Sequence, residues 1–219
     1  MKIGIFGCSF ADVNSCHYPE LNKGQAWSDI LSKTFNHDIT NYAVSASSFY
    51  YSYQLFKKEY NKFDKIIFLG TWPGRLYCLN LEQHHITPRH TDPSNRWTVN
   101  NDKEYKLICD YYSLLFNMDE SIEMKRLMAA DILSYDNTLY IDSEKTLGYV
   151  TMMENIAYNI TDMQYTDFRE NRYCHMSNEN NYILATNIDK WLKGGTYDFS
   201  LDMFRVPLLA EKMGYFYAA

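Results

Sequence analysis

The sequence predicts a three-layer α/β fold built on a doubly wound parallel sheet, and three observations lead there. Four short apolar runs have the form of buried strands. Amphipathic helical stretches separate the first three of them. Small and hydroxyl residues gather just past three of the runs. Strand, helix, strand, helix, strand is the order that a parallel sheet with crossover helices requires.

The four runs are KIGIFG (2–7), DITNYAV (38–44), KIIFLG (65–70) and TLYIDS (138–143). Each is rich in Ile, Phe, Leu, Tyr or Val and bounded by polar residues or glycine, as a strand covered on both faces should be. Between the first two lies GQAWSDILSKTF (24–35), with Trp27, Ile30, Leu31 and Phe35 on one helical face. Between the second and third lies SSFYYSYQLFKKEYNKF (47–63), with Ser47 or Ser48 as its N-cap.

From Pro73 to about Asn101 the periodicity disappears. The segment holds His84, His85, His90 and most of the prolines, which predicts an excursion over the strand ends, of the kind that forms a lid or specificity loop. Residues 104–134 are predicted helical, with Leu107, Tyr111, Leu114 and Leu115 and then Ile122, Leu127 and Ile132 as apolar positions. A Tyr- and Asn-rich region covers 146–173. A late helix follows over 177–195, capped by Ser177, with Ile183, Leu184, Ile188, Trp191 and Leu192 as its apolar face and Gly194-Gly195 as its stop. Residues 200–217 suggest one more short helix, interrupted near Pro207. No internal repeat appears, so all 219 residues are expected to form a single domain.

Composition narrows the function. The net charge is −6 and no run of Lys or Arg exceeds two, which gives no basis for nucleic-acid binding. The five cysteines form no CxxC pair, so neither a zinc knuckle nor a disulfide framework is expected. No apolar stretch has the length of a membrane span, and the four-residue apolar run after Lys2 is too short for a signal peptide. A cytoplasmic protein, encoded by a cell or a virus, is the resulting expectation. GxGxxG is absent, which argues against a dinucleotide site, and no cofactor is expected. His84, His85 and His90 are suitable ligand types, but no acidic partner stands at a metal-binding spacing.

In doubly wound sheets the ligand sits at the carboxyl ends of the strands. Here those ends are Gly7-Cys8-Ser9, Val44-Ser45-Ala46-Ser47 and Gly70-Thr71-Trp72. A nucleophilic serine needs a base within hydrogen-bond reach and N–H groups aimed at the developing oxyanion. Ser9 stands where a strand turns toward a helix, and such a turn offers N–H groups. His175, two residues before the Ser177 cap, can lean over the strand ends as base. Each has a plainer reading, Ser9 as a loop residue and His175 as a surface or capping residue. Asp12 reads most simply as a carboxylate favoured by a helix N-terminus. Arg75 can bind a substrate carboxylate or phosphate, or form a surface ion pair. Trp72, Tyr77 and Trp97 can stack on sugar rings or simply cover the pocket.

GCSF (7–10), NYAVSASS (41–48), GTWP (70–73) and CHMSNENN (174–181) together resemble the ordered sequence blocks of the SGNH (GDSL-like) hydrolase superfamily, most of all its small phage and bacterial members. The resemblance implies a flavodoxin-like α/β hydrolase fold and a serine esterase, with O-acetyl groups on carbohydrate as the favoured substrate. It implies Ser9 as nucleophile and His175 as general base. The N–H groups of Ser9 and Ala46 would form the oxyanion hole, Ala46 standing where the family has glycine. Cys8 replaces the aspartate of the GDS form. Trp72 replaces the oxyanion-binding asparagine of the third block, leaving Thr71, Ser45 or Ser47 as substitute donors. Arg172 stands three residues before His175, where the family has an orienting aspartate, and an arginine cannot accept the imidazole proton. Asp167 or Glu170 could orient His175 instead, or a backbone carbonyl could, leaving a Ser-His dyad. Trp72, Arg75 and Tyr77 are then the substrate-binding candidates. The two replacements also support a second expectation, a catalytically silent member of the fold that binds glycan or serves as a structural component. A third, a phosphate-binding α/β domain, rests on the strand-end serines and Arg75.

Overall fold

The computed structural model describes residues 1–13, 26–78, 85–93, 99, 101–142 and 178–199. The predicted strands form β1 (Lys2–Phe6), β2 (Asp38–Asn41), β3 (Lys65–Leu69) and β6 (Thr138–Ile141), joined in one parallel sheet of order β2-β1-β3-β6. The predicted region 146–173, the Ser177 cap and the tail helix over 200–217 lie outside the described residues.

Alternation along the strands builds two cores. Ile3, Ile5, Ile67, Leu69 and Ile141 point to one face, where α1 (Trp27–Lys33) and α5 (Asn178–Leu192) cover them with Trp27, Leu31, Leu184 and Ile188. Phe6, Ile66 and Phe68 point to the other, beneath Phe49 and Phe56 of α2 (Phe49–Glu59) and Ala129 and Ile132 of α4 (Met118–Leu133). The second core is strongly aromatic: Phe6 stacks on Tyr42 at 5.1 Å, and Phe56 meets Phe6, Phe68 and Tyr135 edge-on. Many of the tyrosines are therefore accounted for by packing.

Local signals set the helix ends. Ser48 is the N-cap of α2 and accepts from the Tyr51 N–H, settling the choice between Ser47 and Ser48. Beyond α5 the Gly195 N–H returns to the Lys190 carbonyl and the Gly194 N–H to that of Trp191, with Gly194 at φ 71°.

Residues 102–133 form two helices rather than one stretch. These are α3 (Asp102–Leu114) and α4, broken where Asn117 caps the second. Leu107, Leu114, Leu115 and Leu127, expected as apolar positions of this region, are exposed. The break explains it: α3 packs through Ile108 against the excursion, and α4 meets the sheet through Ala129 and Ile132.

The excursion is itself structured. A short hairpin, β4 (Leu76–Tyr77) with β5 (His85–Ile86), shares a small core of Ile86, Val99 and Ile108 with Leu76 and Tyr112. The Tyr112 hydroxyl donates to the carbonyls of Gly74 and Ile86, and the Tyr105 hydroxyl to that of Thr91. Burial first, and then neighbouring Tyr111 and Cys78, push the Tyr112 phenol well above its usual pKa, so it stays a donor.

Candidate active site

α1 packs on one face of the sheet and α4 on the other. The helices that carry the chain from β1 to β2 and from β3 to β6 therefore cover opposite faces, the arrangement in which a doubly wound sheet places its ligand site between the two carboxyl ends. Gly7 and Leu69 mark the point of closest approach. A Cβ on Gly7 would stand 2.7 Å from the Leu69 Cβ and 2.8 Å from its carbonyl oxygen, and Gly7 holds φ 150°. Only glycine meets both demands.

Past Gly7 the chain forms a tight turn. The Ala11 and Asp12 N–H groups both return to the Cys8 carbonyl, at 3.0 and 3.2 Å. Cys8 is fully buried in the core beside α1 and α5, and Ser9 follows it, 7 % exposed. Three elements brace the turn. The Trp27 indole donates to the Phe10 carbonyl at 2.7 Å, and Ser28 Oγ and Asn41 Nδ2 donate to that of Ala11 at 3.0 and 2.7 Å. Asp12 differs from its expected role: its carboxylate accepts the Ser45 N–H at 2.9 Å and ties the Ser9 turn to the loop after β2.

That loop is anchored from beneath. The Gly7 carbonyl accepts from the Val44 N–H, Ser47 Oγ and Ser52 Oγ at 3.1, 3.0 and 3.2 Å. Ser47, fully buried, thus spends its hydroxyl on the end of β1, away from the role of oxyanion donor. The Ser47 N–H returns to the Val44 carbonyl, closing a turn whose third residue, Ala46, sits at φ 61°. This is the position at which a turn of this kind favours glycine. Among the described residues the Ala46 N–H meets no acceptor.

Thr71 is buried directly after β3, and Trp72 begins a turn in which the Arg75 N–H approaches the Trp72 carbonyl at 3.4 Å. The Trp72 ring folds back over Gly74, where a Cβ would lie 2.2–2.6 Å from its six-membered ring. Tyr77 packs against Tyr51 and His85, with ring centroids at 4.6 and 5.1 Å. Ser9, Ala46 and Thr71 accordingly follow the three neighbouring strands β1, β2 and β3 at one edge of the sheet, while Trp72, Arg75 and Tyr77 line the adjoining turn and hairpin. His175, Asp167, Glu170 and Arg172 lie outside the described residues, as do Trp97 and His84.

Two further contacts have no signal in the sequence. Asn181 Oδ1 accepts the Trp27 N–H at 3.0 Å, at the start of a helix whose N-cap, Ala26, supplies no side-chain acceptor. The beginning of α5 is thereby docked on the residue whose indole braces Phe10. At the end of β6, buried Asp142 accepts from Lys125 Nζ at 2.8 Å and the Tyr140 hydroxyl at 3.1 Å. Neither a buried lysine on α4 nor its partner follows from periodicity.

Among the described residues no group of three or more His, Cys, Asp or Glu could hold a metal ion, and no helix is long and apolar enough to cross a membrane. His90 turns its Nδ1 to the Thr87 N–H at 2.9 Å. The Cys78 thiol is pushed up by burial, away from thiolate chemistry.

The fold and strand-end arrangement define an α/β protein with a doubly wound parallel sheet. No protein-family model matches the sequence, and no curated protein matches it. Among solved structures the chain is similar to a "putative lipolytic protein of G-D-S-L family" from Desulfitobacterium hafniense DCB-2. The identity is 12 % and the TM-score 0.39, over 86 % of this chain and 98 % of that one.

Proposed function

We propose that the chain is a serine ester hydrolase of the SGNH type, acting on an ester carried by a carbohydrate, with O-acetyl as the favoured group. Ser9 Oγ attacks the acyl carbonyl while His175 takes its proton. The N–H groups of Ser9 and Ala46, helped by Thr71, receive the oxyanion. As the tetrahedral intermediate collapses, His175 passes the proton to the departing alcohol. Water, deprotonated by the same imidazole, then releases the acid and regenerates Ser9. Asp167 or Glu170 orients His175, or a backbone carbonyl does so in a dyad.

The observation that carries this reading is Ala46. A non-glycine residue held at φ 61° is strained, and its N–H meets no acceptor among the described residues. The Asp12–Ser45 bond keeps its loop beside the Ser9 turn. The first turn of α5, which begins three residues beyond His175, is docked through Asn181 and Trp27 onto the same turn. In steady-state assays with an aryl acetate, Ser9→Ala and His175→Ala are each expected to lower kcat by about 10³-fold or more. Turnover unchanged in Ser9→Ala refutes the assignment.

Trp72 favours a second reading. Its ring lies over Gly74 at the place where the family carries an oxyanion-binding asparagine. A catalytically silent protein that binds glycan through this aromatic rim would leave aryl acetates untouched and still bind a sugar.

A further inference from the structure

Arg75 has an unanswered donor. Among the described residues its buried Nη1 meets no hydrogen-bond partner and the guanidinium forms no ion pair. The chain carries 27 acidic residues against 21 basic ones, so carboxylates for pairing are not scarce. An arginine N–H withdrawn from water and left unpaired is costly, and such a group in a native fold calls for a missing acceptor.

The surroundings hold the side chain in place for one. Arg75 closes the turn that follows β3, a turn fixed by the Tyr112 hydroxyl on the Gly74 carbonyl at 2.9 Å and by the Trp72 ring over Gly74. Leu76, next in sequence, packs into the small core with Ile86, Val99 and Ile108. Tyr77, the other residue of β4, points to the opposite side. Tyr77 in turn meets Tyr51, in the first turn of α2, which contains no acidic residue to neutralise a nearby arginine.

We infer that Arg75 is the anion-binding element of the substrate site and that the substrate carries an oxyanion, a carboxylate or a phosphate, outside the group that reacts. A guanidinium matches either geometry with paired N–H donors. That the anion belongs to an ester substrate rests on the hydrolase reading above; that Arg75 binds an oxyanion does not.

The test separates the two. Inorganic phosphate and benzoate are titrated by NMR into wild-type protein, Arg75→Gln and Ser9→Ala, and hydrolysis of 4-acetoxybenzoate is compared with that of its neutral methyl ester. Wild type and Ser9→Ala are expected to bind at least one anion equally, and Arg75→Gln about 10-fold or more weakly, in line with loss of a charged hydrogen bond. The tighter of the two anions tells phosphate from carboxylate. Arg75→Gln should also lower kcat/KM for the anionic ester more than for its neutral methyl ester, through KM. Should Arg75→Gln fail to fold by circular dichroism, Arg75→Lys takes its place, with binding weakened several-fold. No anion binding by wild type, or binding unaltered in the folded variant, overturns the inference. Arg75-dependent anion binding without ester hydrolysis upholds it and removes the hydrolase reading instead.

Discussion

Cys8 and Ser9 are adjacent and do opposite things. Cys8 is sealed in the core with Ile5, Trp27 and Leu184, and Ser9 lies in the braced turn after β1. In the apolar surrounding of Cys8 a carboxyl group would be buried without a partner. Cys8→Asp is therefore expected to destabilise the protein by about 3 kcal/mol, read as a lowered midpoint in urea denaturation. Ala46 presents the reverse case. Its left-handed backbone conformation suits glycine, and Ala46→Gly should raise stability by up to about 1 kcal/mol with ester turnover preserved. Ser9 and the small residues at the strand ends were legible because they stand in sequence directly after apolar runs. The Asp12–Ser45 tether was not, since it joins positions 33 apart whose types suit any loop.

Among the elements, the strands were the most readable. β1 and β3 are covered on both faces, so nearly every residue is apolar and the run shows without periodicity. The helices α3 and α4 were the least readable. Their apolar residues do not share the buried side: Leu114 and Leu115 are exposed, whereas Lys125 is buried against Asp142. The hairpin β4–β5 escaped detection because its strands are two residues long and its core borrows Val99 and Ile108 from outside it. At this scale Asn181 is the junction to test. It satisfies the buried Trp27 N–H, and Asn181→Ala is expected to cost about 1–2 kcal/mol of stability, measured by chemical denaturation, because that donor loses its acceptor. Leu would cost no less, which separates loss of the hydrogen bond from loss of volume.

The whole molecule is closed by contacts between distant parts of the chain, and one of them depends on pH. Asp189 of α5 bonds His37, just before β2, at 2.7 Å and Lys193 at 2.8 Å. Burial raises the Asp189 pKa, but the hydrogen bonds from Lys193 and His37 outweigh it and hold the carboxyl below its usual range. A carboxylate whose pKa is lower folded than unfolded adds stability above its unfolded pKa, about 4, and loses it as pH falls through the folded value. Thermal unfolding between pH 6 and pH 3 should accordingly show a smaller fall in Tm for Asp189→Asn than for wild type. Equal slopes would assign acid sensitivity to other groups. The same long-range closure governs the turn that holds Ser9, which is braced from α1, β2 and, through Trp27, α5 rather than by any one segment.

Labelling of the folded protein by a fluorophosphonate, followed by peptide mapping, tests the central assignment most directly, because the reagent needs both an activated serine and an oxyanion hole. One adduct on Ser9, absent from Ser9→Ala and strongly slowed in His175→Ala, is the expected result. An unlabelled Ser9 in folded protein, or an adduct on another serine, would contradict it.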